Sequence, residues 1–141
     1  SCHSYDGAFS LIPGNEGHGG STYCVVASLV LMGRLDDVLT PSWKSDLIQW
    51  CVSRQQTDHG GLHGRPNKSE DTCYSYWIGG ALQLLDFQHL IDKEALTQFV
   101  LECQTDMGGF SKLYGGTYPD LLHSFYSLAW LSIANDNSSS Q

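Results

Sequence analysis

Asp71 and Cys73 stand two residues apart, and His123 follows Cys73 by 50 positions. A carboxylate, a thiolate and an imidazole are donors that Zn2+ accepts at about 2.0–2.3 Å, and three protein ligands leave a fourth position open for substrate. Each residue also has an ordinary reading: Asp71 as a helix cap, Cys73 as a packed thiol, His123 as a core histidine. Two of the seven basic residues, Arg65 and Lys68, lie within four positions. Arg offers phosphate oxygens a planar fork and Lys a point charge. Pairing with Glu70 or Asp71 is the ordinary alternative for both. His18 sits beside Gly19 and Gly20 at a helix start, where free amides favour an anion, and Tyr74 offers another hydrogen bond. Tyr74, Tyr76, Trp77, Phe125, Tyr126 and Trp130 add aromatic bulk. Aromatic walls with phosphate donors and a metal on one rim suggest a diphosphate with an apolar tail.

Helical elements must position these groups. Residues 21–35, 41–55, 71–86, 92–104 and 119–134 carry helical periodicity, and no stretch alternates with period two, so an all-α fold is predicted. Thr40-Pro41 reads as an N-cap with a first-turn proline, and Asp92 as another cap. Between the helices the chain repeats: Gln56-Thr-Asp-His-Gly-Gly-Leu62 returns 48 residues later as Gln104-Thr-Asp-Met-Gly-Gly-Phe110. Asp6-Gly-Ala-Phe9 is a weaker third copy. Helix pairs repeating every ~50 residues stack into a solenoid or close into a ring, because one unit cannot bury its own apolar faces. In that register His18, Asp71 and Asp120 are equivalent, 53 and 49 residues apart, and belong on one rim. Gly79-Gly80 inside a helix costs about 1 kcal/mol each relative to Ala, which calls for close packing or cavity space.

Composition narrows the function classes. Seven Lys+Arg against fifteen Asp+Glu give a net charge of −8, which argues against a general nucleic-acid or anionic-membrane binder. The longest apolar run is about half of the ~20 residues that a membrane span needs, so no integral membrane segment is expected. Residues 1–20 show no signal-peptide pattern, and the first residue is not Met, so the sequence is read as a fragment. Five widely spaced cysteines without a C-x-x-C pair suggest reduced thiols and a cytoplasmic location.

The stretch Gly64-Arg-Pro-Asn-Lys-Ser-Glu-Asp-Thr-Cys-Tyr-Ser-Tyr-Trp77 resembles the signature of protein prenyltransferase β subunits. So do His18-Gly-Gly-Ser-Thr-Tyr-Cys24, Gly108-Gly-Phe-Ser-Lys112 and Asp120-Leu-Leu-His123. The resemblance covers residues 5 to 133 and implies an α/α toroid that attaches an isoprenoid to a cysteine near a protein's C-terminus. It implies one Zn2+ per chain on Asp71, Cys73 and His123. It places His18, Gly19, Gly20, Arg65, Pro66, Asn67, Lys68, Tyr74 and Lys112 around the isoprenoid diphosphate. Ser75, Tyr76 and Trp77 fall to the lipid pocket, and Leu122 to peptide specificity. Pro66, Thr72, Leu122 and Lys112 match the type I geranylgeranyltransferase. The farnesyl enzyme tends to have Cys, Gly and Tyr at the first three, and an Mg2+-binding aspartate at the fourth. Mg2+ is therefore not expected to be required, since the Lys112 ammonium can replace its charge. One departure is that Lys112 to His123 spans eleven positions, one more than usual, with Gly115-Gly116 between.

The implied partners are an α subunit in a heterodimer, an isoprenoid diphosphate, and proteins ending in C-a-a-X, such as small GTPases. Residues 1–134 are read as the C-terminal portion of the toroid, inactive in isolation, and 135–141 as a disordered Ser-rich tail. The alternatives are a farnesyltransferase β subunit, a non-catalytic helical-repeat interaction fragment, and a terpene cyclase. The last lacks its aspartate-rich motif.

Overall fold

The computed structural model describes residues 2–136. Three helices stand side by side, with α4 (Thr72–Leu84) packed between α1 (Gly19–Leu31) and α6 (Leu121–Asp136). Two others pack against this row: α3 (Pro41–Val52) meets α4, and α5 (Lys93–Glu102) meets α4 and α6. A single turn, α2 (Leu35–Val38), links α1 to α3, and a 3-10 turn (Gln88–Leu90) links α4 to α5. All five predicted helices form. The described residues hold no strand, only four isolated antiparallel bridges.

The repeat is expressed hydrogen bond by hydrogen bond. His18 Nδ1 accepts from Gly20 N–H (3.1 Å), Asp71 Oδ1 from Cys73 N–H (2.9 Å) and Asp120 Oδ1 from His123 N–H (2.9 Å), so the three equivalent residues cap the three row helices. Both α1 and α4 end in a Schellman turn, Arg34 N–H to Leu29 O (2.8 Å) and Phe87 N–H to Leu82 O (2.9 Å), with Gly33 (φ +64) and Asp86 (φ +64) left-handed. Thr40 and Asp92 cap the outer helices through Trp43 and Ala95 N–H. The Gly-Gly turns close by bridges Gln55–Leu62 and Gln104–Phe110, and the weak third copy closes the same way by His3–Phe9.

These contacts explain why the predicted boundaries move. The first helix begins at Gly19, not 21, because its cap is His18, and the Schellman turn stops it at Leu31, not 35. The second and fourth end at Val52 and Glu102, because the bridges draw Gln55 and Gln104 into the turns. The last runs through Asn135 and Asp136, two residues into the expected tail; residues 137–141 lie outside the described region.

The core holds Val26, Leu47, Leu62, Ile78, Leu82, Leu96, Phe99, Val100 and Trp130. Trp130, one of the six aromatics noted in the sequence, belongs to the core: it is fully buried, and its indole N–H donates to Thr97 Oγ1 (3.3 Å). It explains Gly79, where a β-carbon would lie 2.6 Å from Trp130 Cζ3. Close packing, not cavity space, accounts for that glycine.

Candidate metal centre and anion pocket

Asp71, Cys73 and His123 converge. One ligand atom from each lies within 4.8 Å of the other two, and all three residues are buried. Asp71 both caps α4 and takes part in the cluster, so its ordinary and chemical readings hold together. His123 Nδ1 lies 2.6 Å from Asp120 Oδ2, and its Nε2 lies 3.2 Å from Asp71 Oδ1. When Nδ1–H donates to Asp120, a neutral ring points its Nε2 lone pair at a carboxylate oxygen. Two lone pairs at that distance call for a proton or a cation between them. Burial first, then Asp71, pushes the Cys73 thiol well above its usual pKa, as expected for a thiolate that forms only beside a cation. The donor set therefore fits Zn2+.

The repeat register puts Asp120 on this rim but assigns it no task. Its two oxygens serve one residue: Oδ1 holds the backbone of His123 and Oδ2 holds its ring. These bonds depress the Asp120 pKa, the backbone N–H first and the imidazole next. The signal was present as Asp-x-x-His at a helix start, but that spacing reads equally well as capping alone.

Beside the cluster, and sharing Asp71 with it, lies a cleft of about 320 Å3 lined by His18, Gly64, Arg65, Lys68, Ser69, Asp71, Tyr74, Lys112 and Leu113. A cleft of about 440 Å3 around Asp6, Trp50 and Arg54 is larger, but chemistry decides over volume, because only the smaller one gathers three side-chain cations. Gly64 is required there: a β-carbon would fall 2.0 Å from Tyr74 Cζ. Burial, then Arg65, lowers the His18 pKa, so the ring is neutral at neutral pH. Because His18 Nδ1 accepts from Gly20, its Nε2 carries the hydrogen and donates to Tyr74 Oη (3.1 Å). The Tyr74 hydroxyl proton is thereby left to donate onward, and its pKa, raised by burial to about 12, keeps it on the oxygen.

Several expectations are corrected here. The amides of Gly19 and Gly20 are not free, since Gly19 N–H donates to Gly64 O (2.9 Å) and Gly20 N–H to His18 Nδ1 (3.1 Å). Gly19, Gly20, Pro66 and Asn67 are not among the residues lining the cleft. Pro66 and Asn67 (φ +61) form the turn between Arg65 and Lys68, and Pro66 lines the neighbouring cleft around Trp50 and Arg54 instead. Arg65 pairs neither with Glu70 nor with Asp71 but with Glu16, while Glu70 binds Gly61 N–H (2.9 Å) and His59. Lys112 does reach the site, with Nζ 3.7 Å from Asp71 Oδ2. Its backbone is held by Thr72 N–H (3.0 Å), and the extra residue is absorbed after it, where Gly116 N–H closes on Leu113 O (3.0 Å).

Tyr76 and Trp77 join Tyr23, Tyr126 and Phe125 in one aromatic patch, with ring centroids 4.5 Å apart for Trp77–Tyr126 and 5.1 Å for Tyr76–Tyr126. Tyr23 and Tyr76 share a hydroxyl contact of 2.5 Å. Ser75, expected beside them, is fully buried and contributes nothing to that surface. Leu122 is exposed next to His123.

The chain matches the profile described as "Prenyltransferase alpha-alpha toroid domain" over residues 1–141. It is 49% identical over 142 residues to the geranylgeranyl transferase type-1 subunit beta of Arabidopsis thaliana, covering 96% of this chain and 37% of that protein. The Dictyostelium discoideum protein of the same name is 46% identical over 136 residues, with the same two shares, 96% and 37%. A solved structure, "Candida albicans protein geranylgeranyltransferase-I complexed with GGPP", superposes with a TM-score of 0.80 at 29% identity, covering 95% of this chain and 40% of that one. The chain thus spans well under half the length of the curated relatives it matches. With its capped helix-pair repeat and the profile match across the whole sequence, the chain belongs to the prenyltransferase α/α toroid family.

Proposed function

We propose that the chain is the C-terminal portion of the β subunit of a type I protein geranylgeranyltransferase. It would act in a heterodimer with an α subunit in the cytoplasm, on proteins ending in C-a-a-X. The observation that carries this reading is the shared wall: Asp71 belongs both to the metal cluster and to the cationic cleft, so a metal-held thiol and a diphosphate would meet across one side chain.

Zn2+ on Asp71, Cys73 and His123 would supply a Lewis acid that lowers the pKa of a substrate thiol. Asp120 orients the His123 ring for that task. Arg65, Lys68 and Lys112 hold the diphosphate, and Tyr74 donates its hydroxyl proton to it. The new bond joins the substrate sulfur to C1 of the isoprenoid as the C1–O bond to diphosphate breaks. These groups stabilise the charge gathering on the leaving group. Lys112, already seated at the cleft, supports a reaction that does not require Mg2+. The aromatic patch around Trp77 would receive the apolar tail.

Leu121, Phe125 and Leu128 form an exposed apolar stripe on α6, which supports further hairpins completing the ring. The test is transfer by the full-length β subunit with its α subunit, comparing geranylgeranyl and farnesyl diphosphates with and without Mg2+. Geranylgeranyl transfer without Mg2+ is expected. Mg2+-dependent farnesyl transfer would overturn the choice of lipid and reinstate the farnesyltransferase alternative.

A further inference from the structure

We propose that Glu16 is a positioning residue for anion binding, holding the Arg65 guanidinium from outside the cleft in the pose that grips an isoprenoid diphosphate. The inference deepens the proposed function and rests on it. Glu16 Oε1 contacts Arg65 Nη1 directly. Arg65 lines the cleft and Glu16 does not. A guanidinium carries five N–H donors, so a carboxylate engaging one nitrogen leaves the rest of the fork for phosphate oxygens.

The contact also joins two successive repeats. Glu16 lies two residues before the α1 cap, and Arg65 follows Gly64, whose carbonyl accepts the Gly19 N–H. The ion pair thus runs alongside a backbone hydrogen bond between the same two segments, and His18 Nε2 to Tyr74 Oη makes a third tie. Arg65 sits at the start of a turn with left-handed Asn67, and its ion pair with Glu16 fixes its long side chain. Restricting that side chain before the ligand arrives removes an ordering cost from binding.

Glu16 also brings a negative charge toward an anion site, which opposes binding. The balance is set by solvent. The Arg65 and Glu16 side chains are 42% and 33% exposed, so water and salt weaken both effects, but the repulsion acts across Arg65 to a more distant anion and is screened more than the direct Glu16–Arg65 contact. Positioning therefore outweighs repulsion.

The test uses the full-length β subunit with its α subunit and reads the Kd for geranylgeranyl diphosphate, alongside KM and kcat. Glu16→Gln, nearly isosteric, is expected to raise Kd and KM roughly five- to tenfold with kcat within about twofold, the signature of lost ground-state binding. In an Arg65→Ala background the same substitution should change nothing further, a non-additivity that a merely structural residue would not show. Unchanged or tighter binding by Glu16→Gln, or full additivity with Arg65→Ala, overturns the inference while leaving the proposed function standing. Wild-type protein that neither binds nor transfers the isoprenoid overturns both.

Discussion

The junctions at His18 and Asp71 occupy the same position of the repeat and cap their helices in the same way, yet they do opposite work. At His18 the capping atom uses one ring nitrogen and forces the hydrogen onto the other, so the residue becomes a neutral relay to Tyr74. At Asp71 the capping oxygen also lies 3.2 Å from His123 Nε2 of the candidate metal cluster, and the second oxygen pairs with Lys112. A backbone need common to both sites is met by two side chains of different chemistry, and the remainder of each side chain is what the site uses. Local structure dictates only that something must accept those amides.

The largest break of this contrast is on the metal side. Cys73→Ala and His123→Ala should each abolish bound zinc and, with it, transfer. Zinc at full stoichiometry in both variants, measured by metal analysis, would remove the ligand assignment. A smaller effect is expected one residue further out. Asp120→Asn keeps the carbonyl oxygen that can cap His123 N–H but loses the charged partner of its ring, so zinc affinity should fall roughly 10–100-fold with the fold intact. Equal affinity in a chelator competition would reduce Asp120 to a cap.

On the His18 side the effects are milder. Tyr74→Phe removes one donor and should weaken diphosphate binding about three- to tenfold, the worth of a single hydrogen bond. An unchanged Kd would mean that the hydroxyl proton does not point at the ligand. The smallest effect is on stability. His18 and His63 both have pKa values lowered chiefly by burial, so as pH falls through about 6.5 the unfolded chain takes up protons that the folded chain does not. Stability should therefore decline as pH drops through that window, and the decline should shrink in His18→Asn. A denaturation midpoint that rises on acidification from pH 7.5 to 5.5 would contradict the sign.

The rim was legible because its information is periodic. Equivalent spacings put His18, Asp71 and Asp120 together before any coordinates, and Thr40, Asp92 and the Gly-Gly turns announced themselves by residue type. Sequence reasoning failed where partners are distant and ordinary. Nothing near Arg65 marks Glu16, 49 residues earlier, as its counter-ion, since nearer acids were available. The amides of Gly19 and Gly20 looked free because the acceptor for one is a carbonyl in the next repeat. Trp130 and Ser75 shared a residue class or a segment with the aromatic patch, but helical phase sends both inward. Asp86 in a left-handed conformation is a cap that glycine would have advertised, and only the repeat register makes its equivalence to Gly33 visible.

The cluster takes Asp71 and Cys73 from the start of α4 and His123 from the first turn of α6. Any divalent ion held there is a rivet between adjacent hairpins, closing a loop of about fifty residues whose entropy would otherwise favour separation. Since such an ion binds the docked arrangement and not the open chain, part of its binding free energy becomes docking free energy. Stripping it should loosen the seam between α4 and α6 first, where amide exchange would show the change before any helix melts.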